Sequence, residues 1–246
     1  MKHAALIAEL DAALQSAASP PAAQSLQRFF TEPVAALGVS NDNVRTIAAG
    51  AMARHSSLSP PHWLAIADHF ARWHAVHEHF ILASSLAAKL APKIDDAVDF
   101  LALMQTWLER DADNWAQCDD LCIKPLYLYL RRRPHLMSAI PGWGRSGSSW
   151  CRRASNVALV KFVGRNDACD LGQVLANCER LLSERDPYVQ KGIGWILKVA
   201  AQYETRAVLA FLEQHLTHIE RGTLRYAIEK LPQATRLRFI GRPGPA

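Results

Sequence analysis

The segment DPYVQKGIGWILKVAAQY (186–203) decides the fold that this sequence predicts. Its apolar residues recur at three- and four-residue spacing, which is typical of a helix that buries one face. Asp186 followed by Pro187 predicts where this helix begins, since aspartate caps a helix N-terminus and proline is accepted in the first turn.

A basic residue opens the apolar stretch of this segment, and the pattern recurs on both sides. Arg153, Lys191 and Arg225 each precede an apolar run, and they are separated by 38 and 34 residues. Helical hairpins of the HEAT type repeat at about this length. Because stacked hairpins place equivalent positions along one concave wall, the three cations are predicted to form a stripe there.

The rest of the chain carries helical spacing as well. Residues 4–17, 63–91 and 97–109 have apolar positions three and four apart, and prolines separate the runs. We predict an all-α fold of about a dozen helices, a HEAT-like repeat superhelix (an α-solenoid of stacked antiparallel helical hairpins) forming a single domain over 1–246. Residues 1–24 are predicted to be a first helix and a linker, 141–150 a flexible loop and 239–246 a frayed tail.

The composition of the 246 residues is that of an ordinary globular protein, with half of them hydrophobic. No apolar run reaches the roughly 18 residues of a membrane span. Five cysteines without a CxxC pair predict reduced, buried thiols in a cytoplasmic protein, and scattered histidines predict no metal site. Residues 1–142 hold 12 basic and 14 acidic residues, whereas residues 143–246 hold 16 and 9. The cationic half favours an anionic partner such as the nucleic-acid backbone, the alternative being a solvated basic surface.

Short segments that pair a tryptophan with a charge are the candidates for chemistry. Trp115 and Asp119 are four residues apart and therefore share a helix face. Asp119 lies among apolar neighbours, where a carboxylate without a function is costly to hold. Lys191, Trp195 and Lys198 form one stripe, which fits either a surface for phosphates and aromatic groups or a half-buried tryptophan between snorkelling lysines.

The third such segment is Trp150 with Arg152 and Arg153, after the glycine- and serine-rich loop. A helix N-terminus beside two guanidiniums suits a phosphate group. The other tryptophans with apolar neighbours at helical spacing are predicted to be core residues, and these are Trp63, Trp73 and Trp107.

Together these segments resemble the AlkD-type DNA alkylation repair glycosylases, a family of HEAT-like repeat proteins. The helix at 186–203 is similar to the family's signature helix through its KxIGWxL pattern. NWAQCDDL (114–121) fits a W-x-x-x-D segment, WCRRASNVALVKF (150–162) a W-x-x-R-A segment, and RFFTEPVAALGVS (28–40) an N-terminal segment ending in an L-G-[IV] turn. The likeness covers roughly residues 25–231, in the same order and at similar separations.

The resemblance implies a role for each matched residue. Asp119 would be the catalytic carboxylate, Trp115 and Trp195 aromatic walls beside the deoxyribose of the lesion, and Arg153 and Lys198 holders of the DNA backbone. It implies a monofunctional glycosylase that releases cationic N3- or N7-alkylated purines from duplex DNA without flipping the base. Neither a metal nor a cofactor is expected, and the protein is expected to be a monomer whose concave face is the DNA-binding surface.

Arg152, Lys191 and Phe29 complete the predicted DNA-binding set. Phe29 stands where the family usually has an aromatic hydroxyl, and Lys198 where it usually has arginine, which loses a bidentate phosphate contact but keeps the charge. These departures leave open a non-catalytic relative that recognises unusual DNA structures. A HEAT-like scaffold for protein interactions is the third interpretation, and it predicts little salt-dependent affinity for DNA.

Overall fold

The computed structural model describes residues 3–73, 75–94 and 99–241, and every regular element in these ranges is helical. The first six α-helices are α1 (Ala4–Ser16), α2 (Pro20–Gln27), α3 (Asn41–Arg54), α4 (Pro60–Trp73), α5 (His77–Leu90) and α6 (Phe100–Arg110). The next eight are α7 (Trp115–Leu121), α8 (Tyr127–Leu130), α9 (Ser149–Val157), α10 (Leu171–Arg180), α11 (Pro187–Ala200), α12 (Thr205–Gln214), α13 (Arg221–Ala227) and α14 (Gln233–Ile240). A π-helical turn (Cys122–Leu126) joins α7 to α8, and a 3₁₀ segment (Pro134–Arg145) precedes α9.

The chain divides into two compact units. The first consists of the described part of Met1–Trp107 together with Lys124–Tyr129, and the second of Leu108–Ile123 together with the described part of Leu130–Ala246. Within the described ranges, no helix is both long and apolar enough to cross a membrane.

In the first unit, α4 packs on α5, α5 on α3 and α3 on α1. Phe70, Phe80 and Trp107 are fully buried in this core, where the rings of Phe80 and Trp107 meet edge to face at 6.3 Å. Trp63 is buried as predicted, but the core prediction for Trp73 is wrong, because this indole is 42% exposed and stacks on the buried His79 ring at 4.4 Å. The run of helical spacing predicted at 63–91 forms two helices, α4 and α5. The start of the predicted helix at 97–109 lies outside the described residues.

A buried carboxylate organises the turn before α3. Glu78 is 1% exposed and accepts hydrogen bonds from the backbone N–H groups of Leu37, Gly38 and Val39 at 2.9, 2.7 and 3.1 Å. Gly38 has a φ of +78°, and a Cβ there would lie 2.2 Å from the Ser19 carbonyl oxygen. The turn therefore needs both a glycine and an anion.

Glu78→Gln should destabilise the protein by about 1–3 kcal/mol, because the amide NH₂ would face backbone donors and leave a buried group unsatisfied. Thermal or urea unfolding measures the effect. Glu32→Gln, at an exposed carboxylate of the same unit, is the matched control and should stay within about 0.5 kcal/mol. Equal stability of the two variants would contradict the role assigned to Glu78.

In the second unit, α9, α11 and α13 pack in sequence, with α11 between the other two. They carry the three predicted repeat positions, Arg153, Lys191 and Arg225. Gly194 allows α13 to approach α11, since a Cβ there would lie 2.9 Å from the Tyr226 ring and 3.2 Å from the Thr223 carbonyl oxygen. The KxIGWxL pattern is thus partly a packing requirement between neighbouring helices.

Three predictions for this unit need correction. The loop predicted at 141–150 is largely ordered by packing: the 3₁₀ segment covers its first half, with Trp143 and Gly144 buried against α9 and α10. The apolar run after Arg153 leaves the helix at Val157. The prediction of a frayed tail at 239–246 is wrong for its first residues, because α14 extends to Ile240 and buries Phe239. Residues 242–246 lie outside the described ranges.

Two predictions at the helix starts can be compared directly. Asp186 caps α11 as predicted, and its carboxylate accepts hydrogen bonds from the N–H groups of Tyr188 and Val189. The linker predicted within residues 1–24 is shorter than expected, because Pro20 already begins α2. Proline at the first helical position and the preceding Ser19 are the residue types that start helices.

Candidate functional site

Asp119 lies on the short helix α7, and the local sequence explains the position of this helix. The Asn114 side chain caps it by accepting hydrogen bonds from the N–H groups of Ala116 and Gln117, both at 3.1 Å. Trp115 is half-buried in the first turn, and the Asp119 side chain, one turn later, is 12% exposed. The carboxylate is thus almost withdrawn from water, which makes its partners decisive.

The principal partner of Asp119 is Arg153 on α9. The guanidinium donates from Nε to Oδ1 at 2.8 Å and from Nη2 to Oδ2 at 2.9 Å, so both carboxylate oxygens are engaged. Nη1 donates to the main-chain carbonyl of Tyr188 at 2.5 Å, in the first turn of α11. One arginine therefore joins α7, α9 and α11 around Asp119.

Arg153 is 5% exposed, so its guanidinium is buried together with the carboxylate that balances its charge. Burial by itself lowers the pKa of the guanidinium, but the hydrogen bonds to Asp119 and the negative charge of that carboxylate outweigh burial, so the pKa lies above its ordinary value. The prediction of a continuous cationic stripe is wrong at Arg153, whereas Lys191 and Arg225 are exposed.

The helix that carries Asp119 continues directly into the π-helical turn. Pro125 lies inside this turn and supplies no N–H group, and the Lys161 ammonium donates to the Ile123 carbonyl at 2.8 Å. π-helical turns of this kind occur frequently at functional sites. Sequence spacing does not predict Lys161, because its contact lies 38 residues away in the chain.

The predicted stripe on α11 has two different ends. Trp195 is half-buried, and Lys191 is exposed with its ammonium 5.3 Å from the Tyr188 ring. Lys198 has a side chain only 15% exposed, and its ammonium lies 3.9 Å from the centre of the Tyr226 ring and 3.5 Å from a Glu229 carboxylate oxygen. The structure therefore gives Lys198 intramolecular partners.

Arg152 also has intramolecular partners. Its Nε donates to Glu184 at 2.5 Å, and Nη1 donates to the carbonyls of Ser146 and Gly147 at 2.9 and 2.8 Å. Burial raises the pKa of the Glu184 carboxyl, but hydrogen bonds from the N–H of Asp186 and from Arg152 lower it below its ordinary value. This guanidinium holds the segment before α9 in place.

Trp150 and Phe29 are the remaining aromatic residues that the sequence singled out. Trp150, in the first turn of α9, contacts the Tyr188 ring with centroids 5.3 Å apart, and its carbonyl accepts a hydrogen bond from Cys118 Sγ at 3.4 Å. Phe29 belongs to the first unit, where its ring is 70% exposed.

The five cysteines are buried free thiols, as predicted. Burial, with the neighbouring Cys118, raises the pKa of Cys122 well above its ordinary value, and burial raises the pKa of Cys151 to about 12. These thiols are therefore poor nucleophiles at neutral pH. Within the described residues, no cluster of three or more His, Cys, Asp or Glu side chains could hold a metal ion.

The sequence predicts Arg152, Arg153 and Lys198 as site residues but does not predict Glu184, Tyr188 and Glu229, which engage them. Tyr188, Glu184 and Glu229 follow no spacing rule relative to their partners, which are 31 to 35 residues away. The sequence offered one hint of these ion pairs, namely acidic residues near the repeat positions in the cationic half of the chain. This pattern indicates a charged surface but does not specify which acidic residue pairs with which basic residue.

Comparison with solved structures identifies the fold. A predicted DNA alkylation repair enzyme from Enterococcus faecalis matches with a TM-score of 0.76 and 10% identity, over 88% of this chain and 97% of that one. AlkD2 from Streptococcus mutans matches with a TM-score of 0.60 and 17% identity, over 79% and 91% of the two chains. The protein smu.31 from Streptococcus mutans also matches, with a TM-score of 0.60 and 16% identity over 89% and 100%.

The predicted AlkD-type helical-repeat fold is therefore confirmed, while its concave basic face stays a prediction. No curated protein matches the sequence. The family model for DNA alkylation repair enzymes matches residues 10–231, which include Asp119, Arg153 and the whole of α11. This chain belongs to the DNA alkylation repair enzyme family.

Proposed function

We propose that this protein is a monofunctional DNA glycosylase that hydrolyses the N-glycosidic bond of cationic N3- or N7-alkylated purines in duplex DNA. The observation that supports it best is the nearly buried Asp119 carboxylate, one helical turn from the Trp115 indole and held at both oxygens by Arg153. Family membership supports the role in alkylation repair.

The chemistry needs few protein groups because the substrate supplies part of it. A purine alkylated at N3 or N7 carries a positive charge and leaves as a neutral base without a general acid. The sugar then develops oxocarbenium character, which Asp119 stabilises while orienting the attacking water. The faces of Trp115 and Trp195 favour the same developing cation. The proposal requires neither a metal nor a cofactor.

Arg153 keeps Asp119 neutralised in the free protein. A DNA phosphate is a competing anion for the same planar guanidinium. When the phosphate draws Arg153 away, both oxygens of Asp119 become available to the positively charged sugar. Duplex DNA thus supplies the phosphate that binds Arg153, and the lesion supplies the positive charge that replaces Arg153 beside Asp119. DNA binding and catalysis therefore both depend on the Asp119–Arg153 pair. Lys191, Lys198 and Arg152 add backbone contacts, and Phe29 adds an apolar one.

The first test measures the release of 7-methylguanine and 3-methyladenine from methylated duplex DNA by a monomeric preparation of the protein. In the proposed mechanism, the base leaves without first being flipped out of the duplex. A duplex containing 7-methyl-7-deazaguanine, a neutral isostere, is the matched control and should release nothing. Release of both cationic bases and retention of the isostere would support the mechanism. Release of the neutral base at a similar rate would contradict it.

A non-catalytic DNA-binding role is the second candidate, and one observation favours it. Both oxygens of Asp119 are already engaged by a buried guanidinium, which is also the geometry of a structural ion pair. This candidate predicts DNA affinity that falls steeply with salt, as the glycosylase does, but no base release. A protein-interaction scaffold predicts neither salt-dependent affinity for DNA nor base release.

A further inference from the structure

Three of the four cations of the second unit that are predicted to hold DNA share an unexpected feature. Arg152, Arg153 and Lys198 each contact a carboxylate of the same unit. The carboxylates are those of Glu184, Asp119 and Glu229. A carboxylate and a phosphodiester compete for the same donors, so each pair must open or rearrange before its cation reaches DNA.

Lys198 shows how such a cation is placed. Gly194 lies one helical turn before Lys198 on α11, and the absence of a side chain there lets the Tyr226 ring pack directly on this helix. The ammonium then sits 3.9 Å from the ring centre, an attractive cation–π geometry. Glu229, three residues after Tyr226, contacts the same ammonium at 3.5 Å. The backbone of the α13 region thus positions an aromatic face and an anion around one lysine.

Glu229 is the carboxylate whose part in this arrangement can be isolated. Asp119 belongs to the proposed catalytic site, and Glu184 also accepts hydrogen bonds from the backbone N–H groups of Arg185 and Asp186. Glu229 has a side chain 46% exposed, and its other oxygen lies 3.3 Å from Lys230. Changing it leaves the core and the proposed catalytic residues untouched.

We propose that Glu229 occupies the place of a DNA phosphate beside Lys198 in the free protein and thereby limits how tightly the protein holds undamaged duplex. The inference rests on the proposed role of Lys198 at the DNA backbone. Undamaged DNA gains the phosphate contact only after it displaces Glu229. At a lesion, the positive charge of the alkylated base is also attracted to Asp119. This attraction offsets the free-energy cost of displacing Glu229 from Lys198. Because undamaged sites greatly outnumber lesions, weaker nonspecific binding keeps the protein available.

The experiment measures the affinity of Glu229→Gln for unmodified duplex DNA at low salt. We expect binding about two- to fivefold tighter than that of the matched control Glu204→Gln, which removes the same charge at an exposed site in the same unit. In a Lys198→Met background the gain from Glu229→Gln should vanish. Equal gains for the two glutamine variants, or a gain that persists without Lys198, would overturn the inference.

A second measurement separates this inference from the proposed glycosylase. The single-turnover rate of base release at saturating lesion DNA should be unchanged in Glu229→Gln, whereas release in the presence of excess unmodified duplex should slow. If the wild type releases no base but Glu229→Gln still binds more tightly through Lys198, the glycosylase is wrong and the inference stands. If the wild type releases base but Glu229→Gln gains no affinity, the glycosylase stands and the inference is wrong.

Discussion

Asp119→Asn is expected to lower the rate of base release by at least about 10²–10³-fold while leaving the affinity for duplex DNA within about threefold. The amide has nearly the shape of the carboxylate but carries no charge, so it cannot stabilise the developing cation at the sugar. Single-turnover release of 7-methylguanine at saturating protein measures the chemical step, and a binding titration with unmodified duplex measures the affinity.

This experiment needs a stability control, because the substitution also changes the environment of a buried guanidinium. Asp119→Asn leaves Arg153 with an amide oxygen and the Tyr188 carbonyl, and we expect a loss of about 1–3 kcal/mol. Activity must therefore be compared at a temperature at which both proteins are folded. Asp167→Asn makes the same chemical change at an exposed position of the second unit and should alter neither property.

The outcomes distinguish a catalytic from a structural role of Asp119. Loss of release with retained binding identifies Asp119 as the catalytic carboxylate. Loss of both DNA binding and base release assigns Asp119 a structural role, because its ion pair with Arg153 would then be a requirement of the fold. Full activity of Asp119→Asn would refute the proposed mechanism.

Arg153→Met should destabilise the second unit by about 3–5 kcal/mol. The substitution removes the partner of a nearly buried carboxylate and leaves its charge uncompensated, and it also removes the hydrogen bond to the Tyr188 carbonyl. Replacing both members of a buried pair by apolar residues is frequently neutral, so Asp119→Leu/Arg153→Met should recover most of the lost stability. Urea unfolding of the two variants and the wild type measures the difference.

The control for this prediction is Arg225→Met. Arg225 occupies the corresponding repeat position on α13 but is exposed, and its substitution should change stability by no more than about 0.5 kcal/mol. Equal destabilisation by Arg153→Met and Arg225→Met would show that the ion pair with Asp119 contributes little. No recovery in the double variant would show that packing around Arg153 matters more than its charge.

Sequence-based predictions are wrong where the burial of a side chain depends on distant segments of the chain. Trp73 has the same helical spacing as the buried Trp63, yet its indole is largely exposed. Phe239 was assigned to a frayed tail, yet α14 buries it. The glycine- and serine-rich stretch was predicted to be flexible, yet Trp143 packs within it and the Arg152 guanidinium binds the carbonyls that follow. Local composition indicates neither which neighbour is present nor how much surface it covers.

The sequence by itself determined the helices and their order. Helical spacing of apolar residues and the cap at Asp186 act through neighbours only a few residues away in the chain, so both can be recognised from the sequence alone. The same local rules placed Trp115 and Asp119 on one helix.

Only the tertiary structure decided what the charges do. Arg153 and Lys191 stand at equivalent repeat positions and look alike in sequence, but one is buried against Asp119 and the other is exposed. An ion pair requires two side chains, here 34 residues apart in the chain, to meet within about 3 Å. Helix packing sets that distance, and the desolvation that accompanies it determines whether a cation stays a surface charge or becomes the counterion of a nearly buried carboxylate.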